Sequence, residues 1–352
     1  MTNTTSRPES RREQPRYVRL QRTTSPALLV TQPTRLRPAP KRRPFYLAGA
    51  AFSLLLATLI LWALPARVQA EQAGGMPTVL RAGFLKRVFY GADLRDVKAA
   101  LEVQIRQISR NLGLSNDAKI VIYPDTASMI DAVRRHELEL VTLPAWEYLR
   151  IRDKVPMIPS FVSANNNGQG SRFVVIAHAG SGIRSFSDLK GKTISLTPIA
   201  RDDSGHIWLE TLLMNTGKGG QDDFFGQVRE SPKPSHAIMA VFLRQTDAAI
   251  ISRSGLDTSR QLNPQLDKKL TIVAESRNLT DGISCLIPST PAQFRANLSK
   301  AIMQLNGTRS GQQMFTMFQS SGVIPFKSAY LEDLEQLLRE HDRLKSKKTK
   351  RK

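Results

Sequence analysis

The chain has 352 residues, 23% charged and 41% hydrophobic, which suits one large or two medium globular domains with a sizeable core. Its formal net charge of +21 sits mostly at the ends, with +9 in residues 1–46 and +7 in the tail RLKSKKTKRK (343–352). Once Arg67 is set aside, only +4 remains for the body, which excludes nucleic-acid binding as the main function. Cys285 is the single cysteine, so neither an internal disulfide nor a cysteine-based zinc site can be built.

Residues 1–46 are rich in Pro, Arg and Thr, lack an amphipathic period, and are expected to form a disordered basic head. Next comes LAGAAFSLLLATLILWAL (47–64), without a charge, preceded by KRR and followed by PARVQAEQ. These are the parts of a secretory signal with cleavage expected after Ala70, and the run is also about long enough for an uncleaved membrane anchor. In both cases the Arg-rich head stays cytoplasmic and the body is exported to the periplasm or cell envelope. RRPFYL (42–47) loosely resembles a twin-arginine export signal. So long a leader is unusual for a signal peptide, which leaves open a later translation start or a cytoplasmic arm on an anchored protein.

From Pro77 short apolar runs alternate with helical periods. Strands are expected at TVLRAGFL (78–85), KIVIYP (119–124) and LELVTLP (138–144), with helices at 94–112, 126–137 and around AWEYLRIRD. In the first helix Val97, Leu101, Ile105 and Ile108 form one apolar face, and Thr126 is the expected N-cap of the second. PMIPSFV and SRFVVIAH read as two strands joined by the loop SANNNGQG. A second unit of the same kind follows: SDLKGKTISL as turn and strand, SGHIWLETLLMNTG as a helix closed by Gly217, AIMAVFLRQT as a helix, then strands DAAIIS and LTIVAES. Three helical stretches, FRANLSKAIMQLN, SGQQMFTMFQSS and SAYLEDLEQLLREHDRLK, complete the body. Alternating strands and helices argue an α/β architecture with parallel strands.

The segments SFSDLKGKTISL, DDSGH with its helix, SHAIMAVFLRQTDAAIIS and GVIPF resemble those of ABC-importer solute-binding proteins of the periplasmic type II fold, phosphate/phosphonate-type group. The resemblance covers most of residues 77–340. It implies two lobes, each a mixed sheet flanked by helices, with a ligand in the cleft between them and an ABC permease and ATPase as partners. Lobe 1 is expected at 77–165 plus 280–342, lobe 2 at 166–279, and a basic tail at 343–352. No enzymatic activity and no cofactor are implied. Consistent with that, the sequence contains no G-x-S-x-G, H-E-x-x-H or G-x-x-x-x-G-K-[ST] pattern.

Ligands of open α/β sheets bind beyond the carboxyl ends of strands, where helix N-termini converge. Such places here are FLKRVFYG, PDTAS, LPAWEY, ARDDSGH and KPSHA. In phosphonate-type relatives the loop matching RDDSGH usually reads Ser-Thr-Ser-Gly and grips an oxyanion. Ser204 and Gly205 match its last two places, whereas Asp202 and Asp203 replace the first two. Two carboxylates there repel a phosphate or phosphonate competing for the same N–H groups, and favour a ligand with an amine or several hydroxyls. The alternative is that Asp203 only caps the helix. His206 stands three and four places after these aspartates, a spacing that allows a metal pair, but no further His or Cys is nearby and a metal is not expected.

Further candidates for ligand contact are Asp125 and Thr126, as cap and contact at once, and Trp146 and Glu147, at the position where relatives place a residue against the ligand. His236 matches a frequent Ser/His position at a lobe 2 helix start, and Asp247 matches a strand-start carboxylate that faces either the cleft or the fold. A membrane-anchored sensor or scaffold that signals to a membrane partner is the second functional reading, prompted by the long head and the basic tail.

Overall fold

The computed structural model describes residues 76–89, 92–114, 118–165, 168–198, 203–217, 220–317 and 320–349, all within one compact unit spanning 64–352. The basic head, the signal or anchor segment 47–64 and Asp202 lie outside the described residues. No helix among the described residues is long and apolar enough to cross a membrane.

The elements follow in chain order. β1 (Arg81–Leu85), α1 (Leu94–Asn111), β2 (Lys119–Tyr123), α2 (Thr126–Arg134), β3 (Leu140–Pro144) and α3 (Ala145–Ile151) open the chain. β4 (Ile158–Asn165), β5 (Gly168–Gln169), β6 (Phe173–His178), β7 (Thr193–Leu196) and α4 (Ser204–Asn215) come next. They are followed by α5 (Gln221–Phe224), β8 (Gln227–Glu230), α6 (Pro234–Phe242), β9 (Ala248–Ser252), α7 (Arg253–Leu262), α8 (Gln265–Lys269) and β10 (Leu270–Glu275). β11 (Gly282–Leu286), α9 (Ala292–Gln304), α10 (Arg309–Met317), β12 (Gly322–Pro325) and α11 (Glu332–Thr349) end it.

Two sheets form, one per lobe. The first has the order β12-β4-β11-β3-β1-β2 with β5 folded back on β4, and the second has the order β10-β6-β9-β7-β8. Both are mixed, as the resemblance implies, whereas the alternation of strands and helices alone argues for parallel strands. β1 runs parallel to β2 and β3, but β11 is antiparallel to both β3 and β4. In the second sheet β7 runs parallel to β8 and β9, while β6 is antiparallel to β9 and β10. The reason is topological: the chain leaves the first lobe after β4 and comes back into β11, so β6 and β11 enter their sheets from the hinge end and run against their neighbours.

The buried faces follow the sequence periodicity. β6 is buried at every position, as a strand covered by helices on both faces requires. On α1, capped by Asp93, the residues Val97, Leu101, Ile105 and Ile108 pack with Phe84 and Leu140 of the sheet and Leu298 and Phe315 of α9 and α10. The opposite face of that sheet belongs to a core continuous with lobe 2, running from Leu143 and Tyr148 through Leu334 and Leu337 to Trp208 and Leu209. Cys285 lies in that core, fully buried, and burial pushes its thiol pKa up.

α11 straps both lobes. Arg150 of α3 contacts Asp342 at 2.6 Å, while His341 Nε2 lies 2.8 Å from Glu210 of α4. Acidic residues in the first turn of α11 and lysines in its last both suit the helix dipole.

Candidate functional site

The segments joining the lobes pair with each other. Ser171 and Leu279 exchange backbone hydrogen bonds of 2.7 and 2.9 Å. Gly170 has a φ of +75°, and a Cβ there would stand 2.5 Å from the Leu279 carbonyl oxygen, so the close approach of the two segments requires glycine. Ser171 Oγ donates to Asp281 Oδ2 at 2.7 Å, whereas Asp281 Oδ1 is buried without a hydrogen-bond partner among the described residues. Burial pushes the Asp281 carboxyl up to about 6, with the Ser171 hydroxyl acting in the opposite direction.

Above this floor is a cavity of about 490 Å³ bordered by both lobes. Thr142, Pro144, Asp281 and Ser284 line it from the first-sheet side, and Thr197, Asp203, Lys233 and Ser252 from the second. Thr142 Oγ1 and Ser284 Oγ lie 2.8 Å apart on its wall. Strand ends and helix starts converge here because β3, β7 and β9 all point their carboxyl ends at the joint.

On the lobe 2 side, Asp203 is 1% exposed and stands immediately before α4, yet its side chain makes no capping hydrogen bond to the helix. Ser204 is fully buried, and its Oγ has no hydrogen-bond partner among the described residues. Gly205 is buried in the same turn. His206 leans along the helix, with Nε2 3.5 Å from Glu210 Oε1. Glu210 also receives His341, so both histidines hold its carboxyl well below the usual range. Lys233 and Pro234 border the cavity at the start of α6, while His236 is exposed in the first turn of that helix.

On the lobe 1 side, Asp125 caps α2 by accepting from Ser128 N at 2.9 Å. Thr126 Oγ1 donates to the buried Glu147 carboxylate, whose other oxygen meets Arg87 Nη1 at 3.0 Å. The Arg87 guanidinium also stands 5.9 Å from the ring centroid of Trp146, whose buried Nε1 finds no partner among the described residues. The structure therefore brings Thr126, Trp146 and Glu147 together with Arg87, a residue the sequence reading did not single out. They form a cluster next to Pro144 rather than on the cavity wall itself. Of the residues singled out from the sequence, Asp203 borders the cavity directly.

Asp247 takes the structural alternative. Its carboxylate accepts from Thr193 N at 2.8 Å and its N–H donates to Thr193 O, which joins the starts of β7 and β9. It stands at the opposite end of β9 from Ser252, which borders the cavity. Asp281, Lys233, Thr142 and Ser284 were missed. Lys233 was readable as part of KPSHA before a helix, but Asp281 and Ser284 stand in a stretch with no motif to mark them.

Comparison with known proteins fits this geometry. Residues 93–331 match the family model described as the periplasmic substrate-binding protein of a phosphonate ABC transporter. A phosphonate-transporter binding protein from Pseudomonas aeruginosa is 15% identical with a TM-score of 0.52, over 77% of this chain and 88% of that one. PhnD1 from Prochlorococcus marinus, solved with methylphosphonate, is 17% identical with a TM-score of 0.51, over 76% and 99% of the two chains. A Xanthomonas citri protein solved with ATP is 16% identical with a TM-score of 0.55, over 77% and 99%. At these identities the solved structures establish the type II fold of two mixed sheets, and the family model covers most of the body. This is a non-catalytic receptor: the chain belongs to the periplasmic substrate-binding proteins of phosphonate ABC transporters.

Proposed function

We propose that the cavity above Asp281 holds a phosphonate-type ligand whose other end carries an amine or hydroxyl groups, for delivery to an ABC permease. The observation that carries this reading is the charge arrangement around the cavity: Asp281, with a partnerless Oδ1, and the buried Asp203 border the same space as Lys233. A compact dianion would meet two carboxylates in a low-dielectric cleft, whereas a zwitterion places its oxyanion by Lys233 and the helix N-termini and its cationic end by the aspartates. The phosphonate named for the family and for PhnD1 supports the anionic half.

Thermal-shift and calorimetric titrations with aminoethylphosphonate, methylphosphonate, phosphate and amino acids test the reading. A ligand that binds only the native state raises the midpoint by mass action, and aminoethylphosphonate should give the largest shift. Equal or tighter binding of phosphate overturns it.

A second reading concerns placement. The uncharged run 47–64, bounded by KRR and a basic head, supports a receptor that stays in the inner membrane through an uncleaved segment. Recovery of the full-length chain in the membrane fraction would support it; a soluble form beginning near Glu71 would rule it out.

A further inference from the structure

We propose that the ligand also carries a single alkyl or acyl chain, and that this chain enters an apolar extension of the cavity inside lobe 1. The proposal rests on the cleft reading above and extends it to the class of substrate: an amphiphile with a phosphonate-type or amine-bearing head. Beyond the Thr142 and Ser284 hydroxyls the cavity leaves the polar cleft and runs between α1 and the first sheet. There it is bordered by Phe84, Leu101, Ile105, Leu305 and Phe315. These side chains are at most 7% exposed, so the extension is shielded from bulk water while remaining continuous with the ligand cleft. Interiors pack as densely as organic crystals, and an apolar space inside a core is costly unless something of matching chemistry fills it. The composition of the wall selects that chemistry: hydrocarbon, entered from a polar mouth.

A second observation marks the extension as a place for a ligand. Gln104 is 4% exposed, borders the cavity from α1, and its Oε1 has no hydrogen-bond partner among the described residues. Buried amide oxygens are nearly always satisfied, so an acceptor left open on a cavity wall points to a donor or a passing polar link supplied from inside the cavity. An amide N–H or a hydroxyl near the head of the chain meets that description. The periodic face of α1, which resembles ordinary core from its spacing, thus has two tasks: Val97 packs the lobe, and Leu101, Gln104, Ile105 and Ile108 form the wall.

The test is a chain-length series measured by calorimetry on the protein as exported and purified: ethyl-, butyl-, hexyl- and octylphosphonate, with octylamine and octanol as probes of other or minimal head groups. Burial of each methylene should tighten Kd about fourfold until the extension is full. Ile105→Trp, which fills the extension, should flatten that slope. Gln104→Leu, nearly isosteric, should steepen it and serves as the decisive variant if the tryptophan substitution impairs folding. A Kd independent of chain length while ethylphosphonate still binds overturns the tail site and leaves the cleft reading standing. If no phosphonate binds, the cleft reading fails; saturable binding of octylamine or octanol that Ile105→Trp or Gln104→Leu alters still upholds the tail site, and its absence overturns it.

Discussion

Ser171 Oγ donates a 2.7 Å hydrogen bond to Asp281 Oδ2 and so ties together, at the floor of the cleft, the two segments that cross between the lobes. The same carboxyl is desolvated, which raises its pKa to about 6.

The consequence for stability has a definite sign. An aspartate in the unfolded chain loses its proton near pH 4, but native Asp281 keeps it to about 6. Between those values the native state binds more protons, so Asp281 makes stability fall as pH rises through the window and stay lower above it. Asp281→Asn removes that penalty, and thermal melts should show the variant little changed at pH 4 and more stable at neutral pH, by about 2–3 kcal/mol. A variant destabilised at neutral pH would show that the Ser171 bond outweighs the burial of charge.

This pair also shows where sequence reasoning stops. β6, α1 and the α4 helix start were legible because their signals are local: a continuous apolar run, a 3.6-residue face, a polar loop before a helix. β11 was not recognised as a strand, although it is central in its sheet, because its five residues pair with β3 and β4 from far earlier in the chain. Asp281 meets Ser171 across 110 residues, and no local pattern encodes that meeting. Arg87 was overlooked for the same reason, since its partner Glu147 is 60 residues away. A strand end or a helix start carries a local signal in the sequence; a pair that meets only across a long stretch of chain carries none.

His341 offers a second pH signature at the strap between α11 and α4. Its side chain is 7% exposed, Glu210 raises its pKa, and Asp342, itself held by Arg150, adds to that effect. A raised histidine pKa contributes stability that is complete below about pH 6.5 and lost as pH rises through the folded value. Melts of the wild-type protein from pH 6 to 9 should therefore decline more steeply than those of His341→Gln. The variant should lose about 1–2 kcal/mol at pH 6 and little at pH 9, because a hydrogen bond to a charged partner disappears only where that charge exists.

The Arg87 guanidinium is half exposed, but the Glu147 carboxylate that it meets is buried. Arg87→Ala leaves that carboxylate with the Thr126 hydroxyl and should cost about 1–2 kcal/mol, well below the cost of breaking a fully buried pair because solvent screens the arginine. Adding Glu147→Gln removes the unbalanced charge and should restore most of the loss. A double variant as unstable as the sum of the two single ones would show that the residues do not interact.

In the proposed reading Asp203 selects the head group. The resemblance sets it where phosphonate-type relatives are expected to carry a hydroxyl, and in the structure it is 1% exposed, borders the cavity, and does not cap α4 with its side chain. Ser204, behind it, keeps a buried hydroxyl without a partner among the described residues, so the helix start retains donors for an oxyanion. Asp203→Ser should weaken aminoethylphosphonate by tenfold or more, since a cationic end loses a buried counter-charge, and should strengthen methylphosphonate by about the same factor as the repulsion disappears. Calorimetric titration of both ligands against both proteins gives the exchange directly. If the two affinities move in the same direction, the carboxylate is not selecting the charge of the guest, and its place in the turn is a matter of folding alone.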